Sequence, residues 1–135
     1  MTNITIIENK AALVRKYLLI LKAYSKYSKK LILADVTYRG AVLHYLYQAI
    51  QSTIDLAQAY AAYKKYPKPQ SARDVFHALH EHKKISRILL NNMLNMTGFR
   101  NIMAHQYAII DDEIFYDIFA NHLKDIRGLL KALGM

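Results

Sequence analysis

The chain has 135 residues, 53% of them hydrophobic, and no cysteine; that is room for one core but not two, and it excludes general disorder, a disulfide framework, thiol catalysis and a cysteine-based zinc site. Nineteen Lys+Arg against ten Asp+Glu give a formal net charge of +9, which favours an anionic partner such as nucleic acid, anionic lipid or an acidic protein. No signal peptide is legible, and the most apolar runs, Tyr17 to Leu21 and Leu31 to Ala34, fall far short of the roughly 20 residues of a membrane span, so the expectation is a soluble cytoplasmic protein with no membrane partner.

Both prolines fall in Tyr66-Pro67-Lys68-Pro69, the one clear internal break. Before it, a first helix is expected from about Thr5 to Tyr27, with Ile6, Leu13, Tyr17, Ile20, Leu21 and Tyr24 on its buried face. A second, longer helix is expected from near Asp35 to Lys65, with the seam Val42, Leu46, Ile50, Ile54, Ala57 and Ala61 along one ridge. Residues 1 to 40 hold eight Lys/Arg against Glu8 and Asp35, whereas Asp111, Asp112, Glu113, Asp117 and Asp125 lie near the C-terminus. One end of the domain should therefore be markedly positive.

After the break, Ser71-Ala72-Arg73-Asp74 has the form of a capping box opening a short helix to about His82. Ser86 is placed to cap the next, which runs through Leu89, Met93 and Met96 towards Met103. Asp111-Asp112-Glu113 sets carboxylates where a helix dipole favours them. A last helix through Ile114, Ile118, His122, Ile126 and Leu130 follows. The fold class is thus an all-α, up-and-down bundle of about five helices, one domain over residues 1–135.

The chemistry concentrates in Gly98-Phe99-Arg100-Asn101-Ile102-Met103-Ala104-His105-Gln106-Tyr107. An always-charged guanidinium can hold phosphate oxygens, and an imidazole near its titration point can move a proton. Arg100 and His105 together supply the minimum of an RNA-cleaving site.

Taken together, these residues resemble the HepT group of HEPN-fold proteins, toxins of toxin–antitoxin pairs whose partner is a minimal nucleotidyltransferase. The resemblance covers most of the chain. It rests on Ala41-Val42 through Gln51 and Asp55, on Ser71-Ala72-Arg73-Asp74-Val75-Phe76, on Met96-Thr97-Gly98-Phe99-Arg100-Asn101, on His105-x-Tyr107, and on Ile110-Asp111 with Glu113-Ile114 and Tyr116. What it implies is a metal-independent, cofactor-free endoribonuclease of a type VII-like toxin–antitoxin system, acting as a homodimer or within a larger hetero-oligomer. Arg100 and His105 of both subunits would meet at the interface, with Asn101 supporting, and leave a 2′,3′-cyclic phosphate. Tyr107 would be the residue that a cognate nucleotidyltransferase antitoxin adenylylates, placing bulky negative charge where an anionic substrate binds. One departure stands out. Relatives often carry an acidic residue followed by arginine after the Ala-Val pair of the long helix, where this chain reads Leu43-His44. An acid that positions the arginine or histidine is absent here or replaced, with His44 the candidate substitute.

Plainer readings stand beside these. Arg100 can cap carbonyls at the end of its helix, His105 can be a loop residue bonded to backbone, and Tyr107 can be a half-buried aromatic. His77, His80 and His82 read as surface or interface histidines rather than metal ligands. The eleven tyrosines suit base stacking, although burial or pairing is the default for Tyr17, Tyr24, Tyr45, Tyr47, Tyr60 and Tyr63. A different class of function is a non-catalytic helical adaptor or substrate-binding subunit of a nucleotidyltransferase complex, which the Leu43-His44 departure favours. The Arg100/His105/Tyr107 spacing favours the nuclease.

Overall fold

A computed structural model describes residues 3–105 and 109–135. Its seven α-helices are α1 (Ile4–Tyr24), α2 (Lys29–Ala34), α3 (Val36–Tyr63), α4 (Ala72–Glu81), α5 (Arg87–His105), α6 (Asp112–Asp117) and α7 (Leu123–Ala132), with a π-helical stretch, Ile118–His122, joining the last two. No strand occurs among the described residues. The all-α class holds, with five longer helices and two of six residues each.

Side-chain caps decide most of the helix starts. The carboxylate of Asp35 accepts from Thr37 N at 2.9 Å and Tyr38 N at 3.1 Å, Ser71 Oγ accepts from Asp74 N at 3.2 Å, and Ser86 Oγ accepts from Leu89 N at 3.1 Å. Each satisfies amide donors that have no partner within the helix. The capping box at Ser71 closes one residue early, because Asp74 reaches back to the N–H of Gln70 at 3.1 Å rather than to that of Ser71. At its far end α3 stops at Tyr63. Lys65 takes a left-handed φ of 59° and Tyr66 N donates to Ala61 O at 2.9 Å, the six-to-one closure that turns a chain out of a helix before Pro67.

The long helix is the axis of the molecule, with α1 along one side and α4 and α5 against it. Its expected seam is buried throughout, Val42, Leu46, Ile50, Ile54, Ala57 and Ala61 all at 2% exposure or less. Of the expected buried face of α1, Leu21 is in the core, and the rest of the seam lies one residue over. Ile7, Ala11, Val14, Leu18 and Leu21 are buried, whereas Ile6 and Leu13 are exposed and Tyr17 and Tyr24 flank the core. Both seams repeat at three and four residues, so periodicity alone does not choose between them. Packing against α3 favours the one that brings Ala11 close to its neighbour.

Two further expectations are corrected. The apolar run Leu31 to Ala34 belongs to a helix of its own, α2, which Ser28 caps through Leu31 N at 3.1 Å and which buries Ile32. The last helix is not continuous. An unbroken α-helix would put His122 on the face of Phe115 and Ile118; the wider π turn carries His122 to the flank and buries Leu123 instead. Ile114, in the first turn of α6, is exposed.

The positive end is also less stark than the sequence suggests, because the chain folds its C-terminal acids onto its N-terminal bases. Arg39 Nη2 pairs with Asp112 Oδ1 at 2.7 Å and Lys29 Nζ with Glu113 Oε2 at 3.1 Å. Asp111 caps α6 through Ile114 N at 3.0 Å, and Asp117 and Asp125 hold His122 from two sides at 3.1 and 2.8 Å.

Candidate active site

Arg100 sits within α5, five residues before its end, and turns toward α3. Its Nη1 donates to Gln51 Oε1 at 2.8 Å, and Gln51 Nε2 in turn donates to Asp55 Oδ1 at 3.0 Å. The guanidinium is thereby anchored through a neutral amide to a carboxylate one turn further along α3, not to the carbonyls of its own helix. Its Nε is buried and has no hydrogen-bond partner among the described residues. A fork fixed at one nitrogen with another donor desolvated and unused is prepared for an anionic oxygen, since charge-assisted bonds to phosphate strengthen where water is excluded.

The helices approach closely around this anchor because the polar residues beside it satisfy themselves. Thr53 Oγ1 donates to Ala49 O at 2.6 Å, Ser52 Oγ to Ala49 O at 3.1 Å and Thr97 Oγ1 to Met93 O at 2.9 Å. Their backbone partners lie three or four residues back, so all three hydroxyls stay buried without crossing the interface.

His105 is the last residue of α5 and is exposed, as is Asn101. Residues five apart on a continuous helix are rotated by about 140°. Arg100 therefore lies on the buried side and His105 turns away from it, and no hydrogen bond joins the two among the described residues. Tyr107 lies outside the described residues.

Leu43 is fully buried in the core and His44 is exposed, its ring edge-on to Tyr45 at 5.1 Å. Neither occupies the place of an acid supporting Arg100; Gln51 and Asp55 do that. Their part was signalled by a carboxylate one turn after a glutamine on the polar side of the long helix, but a contact spanning 49 positions in sequence needs the fold to reveal it.

His77 is exposed, whereas His80 and His82 hold structural positions. His80 Nδ1 lies 3.1 Å from Ile85 O, and His82 Nδ1 lies 2.9 Å from Ala78 O with its ring stacked on Tyr66 at 3.7 Å. The side-chain amide of Asn121 holds the Asp117 carboxyl below its ordinary value; desolvation opposes it, and the charge and hydrogen bond of His122 add smaller lowering effects. No helix among the described residues is long and apolar enough to cross a membrane.

Residues 14–133 match the model of the ribonuclease HepT-like family. The chain is 28% identical over 99 residues to the mRNA nuclease HepT of Shewanella oneidensis, covering 73% of this chain and 74% of that one. Among solved structures it resembles the tri-AMPylated HEPN toxin of S. oneidensis in complex with its MNT antitoxin, with a TM-score of 0.86 and 25% identity over 95% of this chain and 96% of that one. A cytosolic protein of unknown function from Bacillus subtilis, YutE, shares the fold at a TM-score of 0.84 with 14% identity, over 98% of this chain and 89% of that one.

Proposed function

The chain belongs to the ribonuclease HepT-like family, and from that premise we propose that it is the toxin of a toxin–antitoxin pair, a metal-independent endoribonuclease of the cytoplasm that acts as a homodimer. The acting unit is one HEPN-like domain spanning residues 1–135. The observation that carries this reading is the guanidinium of Arg100, held by Gln51 with one buried donor that has no partner among the described residues, on the helix that ends in the exposed imidazole of His105.

In the proposed reaction one His105 takes the proton of a ribose 2′-OH as its oxygen attacks phosphorus, and the bond to the 5′-oxygen breaks. The imidazolium returns that proton through a water to the leaving oxygen, giving a 2′,3′-cyclic phosphate and a 5′-hydroxyl. Arg100 stabilises the charge that builds on the nonbridging oxygens. Asn101 orients the site from the solvent side. Because Arg100 and His105 of one α5 diverge around the helix, a second copy is what brings an imidazole to the phosphate that Arg100 holds.

The partner is a cognate minimal nucleotidyltransferase antitoxin, by analogy with the tri-AMPylated toxin–antitoxin complex, and Tyr107, two residues past His105, is the proposed acceptor of AMP. Added phosphate would repel an RNA backbone and crowd the site. The test is intact mass and RNA cleavage before and after incubation with such an enzyme and ATP. AMP on Tyr107 and loss of cleavage support the reading; cleavage that persists on a modified protein, or AMP transferred equally well to Tyr107→Phe, contradicts it.

A further inference from the structure

We infer that the tyrosine cluster at the junction of α1 and α3 is a stacking platform for the bases of single-stranded RNA, which the polar ridge of α3 then leads to Arg100. The inference rests on the ribonuclease reading for its ligand but uses residues that reading does not.

Tyr17, Tyr24, Tyr27, Tyr38 and Tyr45 form one connected group, with ring centroids 4.7 Å apart for Tyr27–Tyr38 and 6.1 to 6.4 Å for the other pairs. All five are half-buried, and four of them pack their ring bodies on the core. Such rings are held in place, so little conformational entropy is lost when a ligand stacks on them. The exposed ammonium of Lys16 lies over Tyr17 at 5.8 Å and that of Lys26 over Tyr27 at 5.3 Å. Each ring is partly open to solvent and has a cation beside it for the phosphate. The hydrogen bond with Tyr27 is the main reason the Tyr38 hydroxyl is held above the usual phenol range, so it stays neutral.

Charge favours RNA over an apolar protein partner. From Asn9 to Ala34 the sequence has seven Lys/Arg and no carboxylate, and Lys29 is the one of these seven ion-paired among the described residues. Asp35, the nearest acid, is occupied in capping α3. Aromatic rings set among unpaired cations are what sequence-tolerant single-strand binders present.

Geometry then connects platform to site. His44, which touches Tyr45 edge-on, is followed on the same ridge of α3 by Gln48, Gln51 and Asp55, at spacings of four, three and four residues. His44 lies about 10 Å along the axis from Gln51, the residue that holds Arg100. A strand stacked on the tyrosines would pass His44 and deliver its backbone to the guanidinium.

The test is fluorescence anisotropy of a labelled 12-mer oligouridylate with 2′-O-methyl riboses, which cannot be cleaved, titrated with the full-length protein, beside cleavage of ordinary RNA. Tyr17→Leu and Tyr27→Leu should each weaken binding about tenfold, the scale of one base–aromatic stack, while Tyr17→Phe and Tyr27→Phe keep it. Binding should also quench the intrinsic tyrosine emission, readable because the chain has no tryptophan. Should the leucine variants misfold, Lys16→Ala with Lys26→Ala, both exposed, should weaken binding and flatten its salt dependence. Wild-type cleavage with RNA binding unchanged in all these variants overturns the platform and leaves the nuclease reading intact. Tyrosine-dependent binding without cleavage by the wild type does the reverse. If the leucine variants turn a sedimenting dimer into monomer, the face is an interface between copies and the proposal fails.

Discussion

Arg100 and His105 sit on one helix a turn and a half apart, in opposite surroundings. The arginine is turned inward, gripped by Gln51 and backed by Asp55, in a seam sealed by self-satisfied hydroxyls. The histidine ends the helix in solvent. In the proposed reaction the group that holds charge at a fixed point benefits from a rigid, dry setting, whereas the group that passes protons must be free to meet the substrate. The contrast predicts that the two fail differently when disturbed.

The largest effect should come from the exposed member. His105→Ala is expected to lower cleavage by about 10²- to 10⁴-fold, the usual scale of a general acid–base, while the melting transition stays within about 0.5 kcal/mol of wild type because the side chain is exposed. A large loss of stability would mean that His105 is structural.

Next comes Leu43, where the family resemblance raised the expectation of an acid. Leu43→Glu restores that residue type but puts a carboxylate into a fully buried position, at a cost of about 4 kcal/mol or more. Urea unfolding should show the protein largely destabilised. A stable and more active variant would show that the acid belongs at this position and that the Gln51–Asp55 support is incidental.

Gln51→Ala should cost about 10- to 100-fold in cleavage through misplacement of Arg100, with the dependence on pH between 5 and 8 unchanged, since His105 is untouched. A shifted pH profile would instead tie Gln51 to the proton transfer.

The smallest effect lies away from α5. The folded Asp117 carboxyl titrates below its ordinary value of 3.8, so its contribution to stability is present above that pH and is lost as pH falls through the lower, folded value. Asn121→Ala removes the main cause of the depression. Its melting temperature should fall less steeply than that of wild type as pH drops below about 4, and an unchanged slope would remove Asn121 from that role.

The sequence carried the helices whose ends are written in local chemistry, the caps Asp35, Ser71, Ser86 and Asp111 and the seam of α3 among them. It did not carry the register of α1, where two seams of equal periodicity differ only in what α3 can pack against. Nor did it carry the π stretch, which leaves His122 on the flank between two aspartates. The motif residues Arg100 and His105 were legible as a pair by spacing. Their divergence around the helix was not, because it depends on α5 continuing as helix through His105. The support of Arg100 by Gln51 and Asp55 was hidden for the reason that hides any long-range contact: nothing local in either segment demands the other.

The claim that the site needs two copies is tested most directly by mixing subunits. Arg100→Ala and His105→Ala proteins, each inactive alone, are unfolded together, refolded and assayed for RNA bearing 2′,3′-cyclic phosphate ends in the presence of a metal chelator. If an arginine of one copy works with a histidine of the other, half of the random dimers are mixed and one of their two sites is complete, so activity should return to about a quarter of wild type. No recovery from a mixture shown to contain mixed dimers would mean that both groups act from one chain, and would contradict the account.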